Sequence, residues 1–158
     1  GIAISEFKIL LSKYPVPEIY DKTRKALADA FVSRGEDAKA QKELDNIIYY
    51  DPLFEREGIE RYRVEITQRK FLSGEANISR MDVAEGWIGL GGKYPNSENR
   101  NYYFLQAAEL LEEAGAIFQA RLSLDYIKDP DKKTQKRIDL LEAEIRGENI
   151  VSDEGGEP

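Results

Sequence analysis

The sequence predicts an all-α fold of about eight helices joined by short links. Three observations carry that expectation. Apolar residues recur at the spacing of one helix face, as in Ile2, Ile4, Phe7, Leu10 and Leu11, then Leu27, Ala28, Ala30 and Phe31, then Leu44, Ile47 and Ile48. Proline and glycine interrupt this pattern at regular intervals. No stretch alternates apolar and polar residues between turn signals, as a half-buried strand would.

The breaks delimit the elements in order. A first helix over 2–13 stops at "YPVP", and a second over 17–34 ends at "RGED", where Gly35 suits the left-handed position past a helix end. A third over 37–50 closes on Asp51-Pro52, and a fourth over 54–72 runs into "SGEANIS". The fifth, 79–92, opens on Ser79 with Asp82 three residues on, a capping box, and stops at "KYPNSE". The sixth, 97–114, has Asn96 ahead of it and an early Glu98, and ends at "AGA". The last two span 117–127 and 131–146, separated by "KDPDKK". Short links between such helices imply antiparallel neighbours.

Composition narrows the chemistry. At 158 residues and 41% hydrophobic content, the chain suits one domain of ordinary size, over 1–146. The acidic, glycine-containing segment 147–158 is expected to be a disordered tail. With 30 acidic residues against 23 basic and a net charge of −7, a sequence-independent grip on a phosphate backbone is disfavoured, so no nucleic-acid partner is expected. Histidine and cysteine are absent, which removes imidazole bases, thiolate nucleophiles and the common zinc ligands, and leaves both cytosol and periplasm open as compartments. No catalytic residue, cofactor or metal is assigned. No apolar run approaches the ~20 residues of a membrane span, so direct membrane insertion is not expected. The start, "GIAISEFKILLSKYP", lacks the regions of a signal peptide and begins inside a helical pattern, as a fragment of a longer protein would.

The chain also repeats itself. "FKILLSKYP" at 7–15 and "WIGLGGKYP" at 87–95 share an outline, and the same shift of eighty residues pairs Ala28 with Ala108, Gly35 with Gly115, Ala40 with Ala120, Leu44 with Leu124 and Ile47 with Ile127. Small residues at fixed points of paired helices are what close helix packing needs.

Residues 24–52 resemble a tetratricopeptide repeat, a helix-turn-helix unit of about 34 residues. Leu27, Ala28 and Phe31 fall on the first helix's leucine, small and aromatic positions, Gly35 on the turn, Ala40 and Leu44 on the second helix, and Asp51-Pro52 on the closing pair; Arg24 stands where the family prefers tryptophan. Phe104, Ala107, Ala108, Leu111, Gly115, Ala120, Leu124 and Ile127 take those places in the later copy, and 1–15 is similar to the second helix of an earlier unit. Ile59, Tyr62 and Ile66 fit the middle repeat only with an insertion of about nine residues around "FLSGEANISRMD". Helices closing on "YP" are also similar to repeats of bacterial cell-envelope scaffold proteins.

The resemblance implies a right-handed α-solenoid whose concave groove, lined by the first helix of each unit, binds a protein or peptide partner. Its groove-facing positions fall on Lys22, Lys25, Asp29, Val32 and Ser33 of the second helix and on Tyr102, Leu105, Glu109, Glu112 and Glu113 of the sixth. Lys22, Lys25, Asp29, Tyr102, Leu105 and Glu109 are the candidate partner-binding residues. Asp29 stands where members that clamp a peptide carboxylate have an amide, and a carboxylate there would repel that ligand.

Other motifs read as structure. "WIGLGGKYP" lacks the GxxxxGK[ST] pattern and preceding strand of a phosphate loop, so its glycines are expected within or ending a helix, where another helix or a partner approaches closely. Tyr49-Tyr50 and Tyr102-Tyr103-Phe104 are expected to lie mostly in the core with one member of each pointing outward. The function expected is a non-catalytic scaffold in a larger assembly, with the alternative of a regulatory or adaptor domain of a longer enzyme or receptor. Apolar Ile2, Ile4 and Phe7 at an open solenoid end imply self-association through the first helix, or binding of a missing upstream helix.

Overall fold

The computed structural model describes residues 2–13 and 17–147, and the expected break at Tyr14-Pro15 and the tail beyond Gly147 lie outside the described residues. The described residues are all-α: α1 (Ile2–Lys13), α2 (Pro17–Ser33), α3 (Asp37–Tyr50), α4 (Arg56–Leu72), α5 (Arg80–Lys93), α6 (Arg100–Glu113), α7 (Ile117–Asp125) and α8 (Lys132–Ile145). They fall into two compact units, one up to Ile78 and one from Ser79.

Two starts differ from expectation for a visible reason. Phe54 N–H donates to the Asp51 carbonyl (3.1 Å) and Glu55 turns left-handed (φ 40°), so α4 begins only at Arg56. Before α6, successive turns link Ser97 N–H to Tyr94 O (3.1 Å) and Arg100 N–H to Ser97 O (3.2 Å). Asn99, not Asn96, therefore occupies the N-cap, with no side-chain cap bond. At α5 the capping box forms as the sequence predicts: Asp82 N–H donates to Ser79 Oγ (3.1 Å) and Ser79 N–H to Asp82 Oδ2 (2.7 Å).

In the first unit α2 packs on α1 and α3, and α3 on α4. Ile4, Leu27, Ala28, Phe31, Ala40, Leu44, Ile47, Ile59 and Ile66 form its core, with Phe7, Leu11 and Tyr62 packed against it. In the second unit α6 is central and packs on α5, α7 and α8. Leu105, Ala108, Leu124, Ile138 and Leu141 are buried together there. Trp87 is buried too, its ring stacked on Tyr103 (5.8 Å) and edge-on to Tyr102 (5.7 Å).

The two pairs α2/α3 and α6/α7 turn alike. Gly35 (φ 72°) and Gly115 (φ 76°) both adopt the left-handed conformation that lets a helix end without a Cβ penalty. Around them Glu36 N–H reaches Phe31 O (2.9 Å) and Ala116 N–H reaches Leu111 O (2.8 Å). Ala28, Ala40, Ala108 and Ala120 have no exposed surface, so both pairs pack through their small residues.

The two pairs also tie the first helix to the far end of the second, by different chemistry. Asn101 Nδ2 donates to Lys128 O (2.6 Å) while its Oδ1 accepts from Lys128 N–H (3.1 Å). Eighty residues earlier stands Asp21, buried, with its carboxyl hydrogen bonded to the side chain of Asp51 at the C-cap of α3.

Of Gly89, Gly91 and Gly92 in α5, Gly91 has the close neighbour: a Cβ on it would lie 2.7 Å from the Phe104 ring, whereas Gly89 and Gly92 face open space. A packed helix, rather than a ligand, accounts for Gly91. The aromatic pair Tyr49-Tyr50 departs from expectation: both rings are exposed, because α3 buries the face of Ala40, Leu44 and Ile47 and ends just beyond it. The second cluster behaves as predicted, with Tyr103 and Phe104 buried and Tyr102 37% exposed.

Candidate interaction grooves

Each unit contains a groove between the first helix of the turned pair and the helix that follows the pair. In the first unit, a groove of about 280 Å3 between α2 and α4 is lined by Lys25, Asp29, Gly58, Arg61, Tyr62 and Glu65. Positions 58, 61, 62 and 65 share one face of α4 by helical spacing, and 25 and 29 are one turn apart on α2. The floor at Gly58 has no side chain to fill it.

Charge in this groove is balanced, two cations against two carboxylates. Arg61 Nε donates to Glu65 Oε1 (2.8 Å), and Lys25 Nζ reaches out of the groove to Glu55 Oε2 (2.7 Å). Tyr62 hydrogen bonds through its phenol to Asp29, and burial followed by this carboxylate pushes the phenol's pKa up. Tyr62 thus keeps its proton and fixes the spacing of α2 and α4.

The groove in the second unit lies between α6 and α8, with about 250 Å3 lined by Glu109, Glu112, Glu113, Arg137, Leu140, Leu141 and Glu144. Here four carboxylates face one guanidinium. Arg137 grips Glu109 through Nη2 to both oxygens (2.6 Å each), with Nε adding a third bond at 3.0 Å. Both side chains are about a third exposed, so the pair contributes on the order of 1 kcal/mol at most. Leu140 remains 48% exposed beside it, an apolar contact ringed by acid.

Asp29 and Glu109, related by the same shift of eighty residues, thus hold corresponding places in the two grooves, and each is bound by a residue of the facing helix. Of the sequence candidates, Lys25, Asp29 and Glu109 line grooves, as do Glu112 and Glu113. Lys22 is exposed on α2 but does not line the groove. Tyr102 lies edge-on to Trp87, away from the α6/α8 lining.

Leu105 is a correction. It was expected on the binding face, and it is 1% exposed, packed among Ala108, Leu124, Ile138 and Leu141. The arrival of α8 on α6 buries it. The facing walls, Arg61, Tyr62 and Glu65 on α4 and Arg137, Leu140 and Glu144 on α8, were missed, although the i, i+3, i+7 spacing of the latter trio marks a single helix face.

A third hollow, about 330 Å3 between α7 and α8, is lined by Arg121, Leu124, Asp125, Glu142, Ile145 and Arg146 and is charge-balanced. Among the described residues no group of acidic side chains is placed to hold a metal ion, and no helix is long and apolar enough to cross a membrane. Comparison with protein-family models, with curated proteins and with solved structures finds no match for this chain.

Proposed function

We propose that this chain is a non-catalytic scaffold of tetratricopeptide-like helix pairs, a right-handed α-solenoid that holds a partner protein or peptide within a larger assembly. The observation that carries the reading is the recurrence of one groove in both units, built from the same repeat position at Asp29 and Glu109 and closed by the next helix. Two grooves of one construction, one charge-balanced and one acidic, suit recognition of an extended or helical segment better than chemistry on a small substrate.

The α6/α8 groove takes a basic segment with an apolar anchor. Lysine or arginine answers Glu112, Glu113 and Glu144, and a leucine-sized side chain covers the exposed Leu140. The balanced α2/α4 groove contributes shape and hydrogen bonding at Asp29 and Tyr62.

The test is fluorescence anisotropy with a labelled panel of basic, neutral and acidic peptides, each with and without leucine. Binding restricted to basic, leucine-bearing peptides, weakened by salt and lost in Glu112→Lys/Glu144→Lys, supports the reading. Binding indifferent to peptide charge, or unchanged in that variant, overturns it.

A further inference from the structure

In the second unit, a neutral amide at Asn101 ties the start of α6 to the backbone at Lys128, donating once and accepting once. The corresponding residue of the first unit, Asp21, is only 2% exposed and meets another carboxyl, that of Asp51. Two carboxylates cannot hydrogen bond to each other without a proton between them. The first unit therefore performs the amide's task with a group that does so only when protonated.

The rest of the surroundings leave the pair in control. Among the described residues, the charged groups acting on Asp21 are Asp51, from the end of α3, and Arg24, one turn along α2. Arg24 is already engaged: its Nη1 donates to Glu43 of α3 (2.5 Å) and its Nη2 to the Tyr20 hydroxyl. The titratable side chains of α1 at Glu6, Lys8 and Lys13 are exposed, as is Lys22 on α2. Burial first, and then the bond and the charge of Asp51, push the Asp21 carboxyl up to about 6.

We propose that Asp21 and Asp51 form a one-proton clamp that fixes the α3–α4 turn, and with it the α4 wall of the α2/α4 groove. Asp51 begins this turn: its carbonyl accepts from Phe54 N–H (3.1 Å), and Glu55, reached by Lys25 (2.7 Å), leads into α4. On mild acidification Asp21 takes a proton from solvent and donates it in a hydrogen bond to Asp51, and the clamp closes. Above neutrality that proton is lost, the buried Asp21 carboxylate faces the half-buried Asp51, and the turn loosens.

The sign of the linkage follows. A carboxyl whose pKa is higher in the fold than in the unfolded chain stabilises the fold at low pH, and that contribution is lost as pH rises from about 4 through about 6. This slope is opposite to that of an ordinary salt-bridged aspartate. The clamp stands whether or not the groove binds a partner, and only its effect on binding rests on the reading above.

Carboxyl-carbon NMR titration of the full chain tests it, with the ring resonances of Tyr62 followed in the same spectra and thermal unfolding compared at pH 7.5 and 5.0. The expected result is an Asp21 midpoint near 6, Tyr62 signals that move with that midpoint, and a higher unfolding temperature at pH 5.0. In Asp21→Asn, which installs the amide of the second unit, the Tyr62 movement and the pH slope between 5.0 and 7.5 should disappear. An Asp21 midpoint in the ordinary carboxylate range, near 4, overturns the clamp, and needs no variant. Tyr62 signals that ignore the Asp21 titration overturn its control of the groove wall.

Discussion

Gly91 of α5 lies so close against Phe104 of α6 that any side chain at 91 would meet the ring at 2.7 Å. Phe104 cannot yield easily, because it is 3% exposed, stacked on Tyr126 (5.0 Å) and covered by the Arg100 guanidinium (4.8 Å). Gly91→Ala is expected to destabilise the second unit by about 1–3 kcal/mol through overpacking, despite alanine's better helix propensity. Gly92→Ala, one residue on and facing open space, should leave stability unchanged or raise it by up to about 1 kcal/mol. Urea unfolding of the pair decides the point, and equal effects would mean that the contact with Phe104 is unimportant.

Gly35 and Gly115 make a matched prediction. Alanine at either must hold a left-handed backbone, which costs about 1–2 kcal/mol. The two variants should lose stability by similar amounts in chemical denaturation, since their turns share φ and hydrogen bonding.

The capping box at Ser79 sets a conventional pH dependence. The backbone N–H and then the hydroxyl of Ser79 hold the Asp82 carboxyl below its usual range, so its contribution is present above about pH 4 and lost as pH falls. Protection of the first-turn amides of α5, measured as exchange relative to an unstructured chain at the same pH, should therefore fall on acidification, and Ser79→Ala should bring the same loss of protection at neutral pH.

Arg137 occupies the acidic groove that the proposed ligand would enter. Arg137→Met removes the only cation of the α6/α8 lining while keeping its aliphatic bulk. Affinity for a basic, leucine-bearing peptide is expected to rise severalfold at low salt, at a stability loss of about 1 kcal/mol or less. Weaker binding in this variant would mean that Arg137 helps to hold the ligand.

α1 presents Ile2, 79% exposed, and Ile9, 52% exposed, while Ile4 packs into the core. Self-association through this face should appear as a concentration-dependent mass in sedimentation equilibrium, and Ile2→Ser/Ile9→Ser should abolish it.

The helices were legible because their ends are written in local chemistry: Pro52 and Pro95, Gly35 and Gly115, and the Ser79–Asp82 pair each act within a few residues of themselves. The buried alanines were legible because the chain carries two copies, and Ala28 and Ala40 find their counterparts in Ala108 and Ala120. The grooves were half legible. Repeat positions located Asp29 and Glu109, but the opposite walls belong to α4 and α8, whose sequences do not align at the shift that relates the pairs. Leu105 and Tyr49-Tyr50 were misplaced for a related reason. Helical spacing says that residues share a face, but not which neighbour covers it: α8 arrives over Leu105, while Tyr49 and Tyr50 lie on the exposed side of the last turn of α3.

The tight turns at Gly35 and Gly115 also bear on how quickly this chain finds its fold. Each joins two helices across only three residues, 34–36 and 114–116, so the apolar faces of α2 and α3, or of α6 and α7, meet without closing a long loop. Loop closure is the slow, entropically expensive step in proteins built from distant pairings. Here either hairpin can nucleate by itself, and helices added on each side need reach only a neighbour already in place. A chain of this construction is expected to fold in microseconds to milliseconds, with parallel starting points rather than one obligatory nucleus.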